Sequence, residues 1–178
     1  CYFVDRKTLY TGDYRYNVSG MSKLGDIEVD VLYYDATFHD PNTWNISMRD
    51  SELLFINFKA RCFNTKLYIG IYHTGTCALL VSTGTKFCFD SSVPEVLVTK
   101  LRFLYGSHIV HPSEAECVVI QPHHFKTLHG RELLIPSALW YRCNENQSNH
   151  VITRDYRGYW RLNYSGHSDY YENMKLFN

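Results

Sequence analysis

The chain has 178 residues with 18 basic and 18 acidic side chains, so its formal net charge is zero. This length predicts one domain over residues 1–178 with a single sizeable core. The charge balance argues against a nucleic-acid partner, and no apolar run is long enough for insertion into a membrane within this segment.

Apolar and polar side chains alternate with a period of two along most of the chain, which predicts β-strands. Strands are predicted over 27–33, 54–62, 67–72, 96–105, 117–120, 132–135, 138–143 and 158–164. A hairpin around Gly84 is predicted to join 78–81 to 86–90, and one helical turn is expected over 113–117. Short strands separated by Gly and Pro predict an all-β fold, an antiparallel β-sandwich or barrel with little helix.

The strand over 158–164 has a predicted orientation. Tyr159, Arg161 and Asn163 share one face, and Trp160 and Leu162 belong to the other. Asn163 begins a glycosylation triplet and Arg161 prefers water, so their face is predicted to be exposed. The apolar face is predicted to meet the core.

Four triplets match the N-glycan acceptor pattern. Their asparagines are Asn17, Asn45, Asn146 and Asn163. The six cysteines, an even number without a Cys-x-x-Cys motif, predict three disulfides. These cysteines are Cys1, Cys62, Cys77, Cys88, Cys117 and Cys143. Only Cys77 and Cys88 are paired by local sequence, across the predicted hairpin, and the other connectivities stay open.

Glycosylation triplets and disulfides together predict a secreted chain, or one displayed on the outer face of a cell or virion membrane. The start at Cys1 fits a mature product or an excised ectodomain. The alternative is six buried thiols in a cytosolic protein.

Aromatic residues in polar segments are the best candidates for binding. Trp44 ends a polar loop beside Asn45, and Tyr156, Arg157 and Tyr159 belong to a segment rich in the residue types of binding hot spots. The alternative is that the tryptophans anchor the core, which is the favoured interpretation for Trp160.

Histidines supply the second set of binding candidates. His123 and His124 belong to a group of five that also includes His108, His111 and His129. No His-x-His or His-Glu-x-x-His spacing occurs, so neither a metal nor another cofactor is predicted.

Catalysis is not expected from this sequence. Ser165, His167 and Asp169 are too close in the chain for a typical triad. Asp26, Glu28 and Asp30 fit the solvated face of an edge strand. A secreted hydrolase that uses carboxylate or histidine chemistry remains an alternative, as does a lipocalin-like carrier of a small ligand.

Two fragments, 64–69 and 117–123, resemble parts of the galectin-like amino-terminal domain of coronavirus spikes. More broadly, a tyrosine-rich, stapled chain with many glycosylation triplets resembles the receptor-binding or immune-evasion ectodomain of an enveloped-virus glycoprotein. The resemblance implies attachment to a host protein or glycan receptor through exposed aromatic-rich loops.

Overall fold

The structure is a computed structural model that describes residues 2–12, 28–37, 46–72, 74–126, 130–136, 152–165 and 170–174. The fold mixes helices with a largely parallel sheet, so the predicted all-β antiparallel sandwich is wrong. The helices are α1 (Met48–Arg61), α2 (Thr76–Ser82), α3 (Glu95–Tyr105) and α4 (Tyr170–Met174). None of these helices is both long and apolar enough to cross a bilayer.

The larger sheet has six strands in the order β5-β6-β4-β7-β9-β8. Their bounds are β4 (Lys66–Gly70), β5 (Phe87–Phe89), β6 (Cys117–Ile120), β7 (Arg131–Pro136), β8 (Thr153–Arg154) and β9 (Trp160–Leu162). All neighbours run parallel except β8 and β9, which form an antiparallel pair at one edge.

A smaller sheet lies near the amino terminus and has the order β1-β2-β3. Its strands are β1 (Tyr2–Phe3), β2 (Thr8–Tyr10) and β3 (Val31–Tyr33). β1 and β2 are antiparallel, whereas β2 and β3 are parallel. The strand predicted over 27–33 is thus confirmed at its carboxyl end.

Two hydrophobic clusters cover the two faces of the larger sheet. The first joins Ile69 and Val119 to α1, α2 and α3. The second contains Tyr68 and Val118 and is covered in part by Phe125. Because β4 and β6 are buried on both faces, they are nearly continuous apolar runs, as expected for parallel strands between two layers.

The segment predicted as the strand 54–62 lies in helix α1. Its buried residues Ser51, Phe55 and Phe58 are spaced by four and three positions, the period of a helix facing a core. Ser47 caps the helix, because its Oγ accepts from the Asp50 backbone N–H at 3.1 Å and donates to Asp50 Oδ2 at 2.7 Å. The alternation of apolar and polar residues over 54–62 therefore did not indicate a strand, because the buried positions follow the period of a helix.

Two other predicted strands are also helices. The first arm of the hairpin predicted over 78–90 lies in α2, and only its second arm is a strand, β5. The segment 96–105 lies in α3, which buries Val98 and Leu101 and begins after Pro94. The turn of helix predicted over 113–117 is absent from that described segment.

Cys62, Cys77, Cys88 and Cys117 are free thiols, so the prediction of a disulfide-stapled fold is wrong for these four. Cys77 lies in the cluster on one face of the sheet and Cys88 lies in the cluster on the other, which separates the predicted pair. Burial raises the pKa of the Cys77 thiol to about 12 and also raises the pKa of Cys117. Cys1 and Cys143 lie outside the described residues.

The fragments that resemble the coronavirus spike domain fall mainly on β4 and β6. These strands are parallel neighbours in the larger sheet, with Leu67 opposite Cys117 and Gly70 opposite Ile120. The galectin-like sandwich implied by that resemblance is therefore not the fold of this chain.

Candidate functional site

The turn between β8 and β9, residues 155–159, carries three of the predicted binding residues. Two backbone hydrogen bonds close it, from the Asp155 N–H to the Tyr159 carbonyl and from the Gly158 N–H to the Asp155 carbonyl, both 2.9 Å. Gly158 has φ of 78°, which a residue with a side chain rarely adopts. We call residues 155–159 the hairpin turn.

A buried ion pair holds the hairpin turn from below. Arg161 donates to Asp155 Oδ2 through Nε at 2.9 Å and through one terminal nitrogen at 2.6 Å. The other oxygen, Oδ1, accepts from the backbone N–H groups of Arg157 at 2.9 Å and Tyr159 at 3.0 Å. The two ionic side chains are only 7% and 8% exposed.

The protonation state of Asp155 follows from these contacts. Burial favours the neutral acid, but hydrogen bonds from Arg161 and from two backbone N–H groups favour the carboxylate more. The pKa of Asp155 is therefore lowered from its usual value. The carboxylate stays charged at neutral pH and keeps all four of its acceptor contacts.

Tyr156 and Arg157 project from the top of the hairpin turn. Tyr156 is 80% exposed. The Arg157 Nε donates to the Tyr156 hydroxyl at 2.7 Å, and the guanidinium carbon lies 5.1 Å from the ring centroid. The two side chains are thus joined by a hydrogen bond and a cation–π contact at the top of the turn.

A second arginine–aromatic pair lies on the same hairpin. The Arg154 guanidinium carbon is 4.3 Å from the Trp160 ring, and Arg154 also reaches Glu132 at 3.3 Å. The Trp160 Nε1 donates to the other oxygen of Glu132 at 2.8 Å, while its ring packs edge-on against Phe58 at 5.3 Å. The expectation that Trp160 anchors the core agrees with this packing.

The predicted histidines lie on a neighbouring segment that packs against the hairpin turn. Phe125 contacts Tyr159 edge-on at 5.7 Å and Tyr68 at 5.4 Å. His123 and His124 directly precede Phe125 in the chain, are exposed, and have ring centroids 4.3 Å apart. Packing through Phe125 therefore holds this segment against the hairpin.

The sheet also has a carboxyl edge, where ligands commonly bind in parallel α/β folds. Here a Cβ at Gly70, which ends β4, would lie 2.8 Å from Pro122 and 2.9 Å from Ile135. The close approach of Pro122 thus fills the space beside the central strand. Within the described ranges, no three His, Cys, Asp or Glu side chains are grouped to hold a metal.

Asn163 lies in a setting that differs from its predicted one. It follows β9, is 1% exposed, and leaves its side-chain Nδ2 buried without a hydrogen-bond partner. Arg161 is also buried, so the face of this strand predicted to meet solvent is covered. A glycan on Asn163 would require this region to open.

Several predicted site residues lie outside the described residues. They are Trp44 and the glycan acceptors Asn17, Asn45 and Asn146. Asp155, Arg161 and Phe125 also belong to the site and were not predicted from the sequence. Only an Asp three residues before a Gly signalled the turn, since this pattern favours a side-chain-capped turn.

No protein-family model matches this chain, and no curated protein is significantly similar to it. The interpretation of the hairpin turn therefore rests on its geometry.

Proposed function

We propose that this protein is a binding domain that contacts a partner protein through Tyr156 and Arg157. The supporting observation is the buried Asp155–Arg161 pair, which fixes a turn whose two outward side chains are left to solvent. Removing an ion pair from water is costly, and apolar residues of similar size often stabilise a fold as well. A role in holding the shape of the turn explains this pair better than a role in stability.

The exposed pair suits recognition for two reasons. Tyr and Arg are enriched at binding hot spots, where a few residues supply most of the affinity. The hydrogen bond between them also limits their motion before binding, and each rotamer-rich side chain that must be ordered at an interface costs about 0.5–1.5 kcal/mol.

The chemistry of the pair defines the partner surface. A guanidinium prefers a carboxylate, and a phenol ring prefers an apolar pocket with one polar group at its end. We therefore propose a protein surface that presents an Asp or Glu beside an apolar depression. His123 and His124 lie on the segment that packs against the turn and would extend the contact.

The extracellular setting and the host-receptor role remain part of this proposal. The glycosylation triplets at Asn17, Asn45 and Asn146 support the extracellular setting. The four free thiols give no support to an oxidising compartment.

The test is a binding screen of the full chain against an array of cell-surface proteins, followed by variants of the turn. Tyr156→Ala and Arg157→Ala are each expected to weaken the strongest interaction by about tenfold or more, or about 1.4 kcal/mol. Their melting temperatures should stay within about 2 °C of the wild type, because both side chains are exposed.

Matched controls separate this site from a general surface effect. Tyr72 is an exposed tyrosine two residues after the end of β4, and Arg102 is an exposed arginine on α3. Tyr72→Ala and Arg102→Ala should leave affinity unchanged. Equal losses in all four variants, or intact binding in both turn variants, would reject the proposal. The same screen should include a glycan array. If the chain bound only to glycans, the proposal that its partner is a protein would be rejected.

A further inference from the structure

A cavity of about 420 Å³ lies beside the carboxyl-terminal half of α1, at the amino end of β4. Most of its wall is apolar and is formed by Ile56, Ala60, Phe63 and Leu67. This volume falls in the range of about 300–1,000 Å³ that is typical of small-molecule sites. The cavity is far larger than the space left by ordinary packing in a core.

The mouth of the cavity exposes apolar side chains. Phe63 is 88% exposed and Ile56 is 44% exposed, and both contribute to the wall. Single exposed apolar residues are common on protein surfaces, but here two of them adjoin one concave site. A bound apolar molecule would remove both from water, which gives the site a source of affinity.

One ion pair supplies the polar part of the wall. The Lys59 ammonium contacts Glu116 and also donates to Thr85 Oγ1 at 3.2 Å. The second oxygen of Glu116 accepts from the Lys86 backbone N–H at 3.2 Å. Since the two charges neutralise each other, the wall presents a dipole with no net charge.

We propose that this cavity binds a small, uncharged and mainly apolar molecule with one hydrogen-bonding group directed at the Lys59–Glu116 pair. An ion in the same place would meet a mainly apolar wall whose charges are already paired, and burying an uncompensated charge is costly. This binding site is separate from the hairpin turn between β8 and β9. Either proposal can therefore fail without the other.

Two fluorescent probes with the same ring skeleton test the charge argument. N-phenyl-1-naphthylamine is uncharged with one N–H donor, and 8-anilinonaphthalene-1-sulfonate adds an anionic sulfonate. Titrated against the folded full chain, the uncharged probe is expected to bind with a blue-shifted emission. It should bind about tenfold or more tightly than the sulfonate. Equal or tighter binding of the sulfonate would overturn the proposed ligand class.

Two variants on α1 test the location. Ala60→Trp places an indole in the cavity wall and should weaken binding of the uncharged probe by about tenfold or more. Leu53→Trp adds an indole to an exposed position of the same helix that does not line the cavity, and should leave the affinity unchanged. If the uncharged probe bound both variants with equal affinity, the proposed location of the binding site would be rejected.

Protection of a cysteine gives a second measurement on the unmodified chain. Cys62 lines the cavity and is half-buried, so iodoacetamide reaches it in the folded protein more readily than it reaches Cys88. After trypsin, Cys62 falls in the peptide 62–66 and Cys88 in the peptide 87–100. The uncharged probe should slow alkylation of the 62–66 peptide and leave that of the 87–100 peptide unchanged. Unslowed alkylation at a saturating probe concentration would overturn the proposal even if Ala60→Trp fails to fold.

Discussion

Replacing Asp155 by Asn removes a buried negative charge and, with it, the carboxylate that accepts two hydrogen bonds from the Arg161 guanidinium. Both side chains are less than a tenth exposed, so solvent offers Arg161 little compensation. Losing one member of a buried pair typically costs about 3–5 kcal/mol. The Asn side chain can still accept from the Arg157 and Tyr159 N–H groups through one oxygen, so we expect the lower end, about 3 kcal/mol.

Urea denaturation and thermal melting followed by circular dichroism measure this loss. For a chain of this size, about 3 kcal/mol corresponds to a melting temperature about 6–12 °C lower. Asp90→Asn is the matched control. The Asp90 carboxylate also accepts from a backbone N–H two residues later, at 2.9 Å, but it has no ion pair in the part of the chain that the structure describes. Its replacement should cost less than about 1 kcal/mol.

A double variant tests whether the cost comes from breaking the Asp155–Arg161 ion pair. If Arg161 is left buried and charged in Asp155→Asn, then adding Arg161→Met should recover part of the lost stability. A loss in Asp155→Asn as small as that of Asp90→Asn would refute the reasoning. A double variant less stable than Asp155→Asn alone would show that the pair is not the source of the effect.

Two further predictions concern pH and packing. Folding lowers the pKa of Asp155, so its carboxylate stabilises the wild type most where it is charged. The stability difference between wild type and Asp155→Asn should therefore be constant above about pH 5 and shrink as the pH falls below about 4, in urea titrations at several pH values. A difference that grows on acidification would contradict this sign. Gly70→Ala should lose about 1–3 kcal/mol, because its Cβ would lie 2.8 Å from Pro122. Gly106→Ala, at a helical φ of −52° with nothing within 4 Å, should be neutral or stabilising in the same melts.

Local pattern was sufficient to predict the strands that are buried in the larger sheet. The predictions over 67–72, 117–120, 132–135 and 158–164 overlap β4, β6, β7 and β9, although the last extends two residues beyond β9 at each end. These runs are rich in apolar and β-branched residues, which favour an extended backbone whichever strands they pair with. Their parallel order was not predictable from the same residues, since pairing partners lie far apart in the chain.

The helices show where a period-two pattern fails. In α1 the alternating apolar positions coexist with buried residues spaced by four and three, and both patterns are present in the same fourteen residues. The deciding signals were the Ser47–Asp50 capping pair and, for α3, Pro94 before Glu95. Packing against the sheet selected the helical face, because that face buries Phe55 and Phe58 together.

Residue types alone indicated Tyr156 and Arg157 as exposed binding candidates, since both lie in a polar segment rich in Arg and Tyr. The hairpin turn that carries them was not predicted, because residues 158 and 159 were assigned to a strand. The support beneath it depends on tertiary structure. Arg161 was predicted to face solvent, and only the fold buries it against Asp155. Likewise, Phe125 meets Tyr159 across 34 positions in the chain. Phe125 follows β6 by a short turn and Tyr159 directly precedes β9, and both strands belong to the larger sheet. Local composition therefore indicated which side chains are exposed on this segment, and long-range packing decided which residues hold them in place.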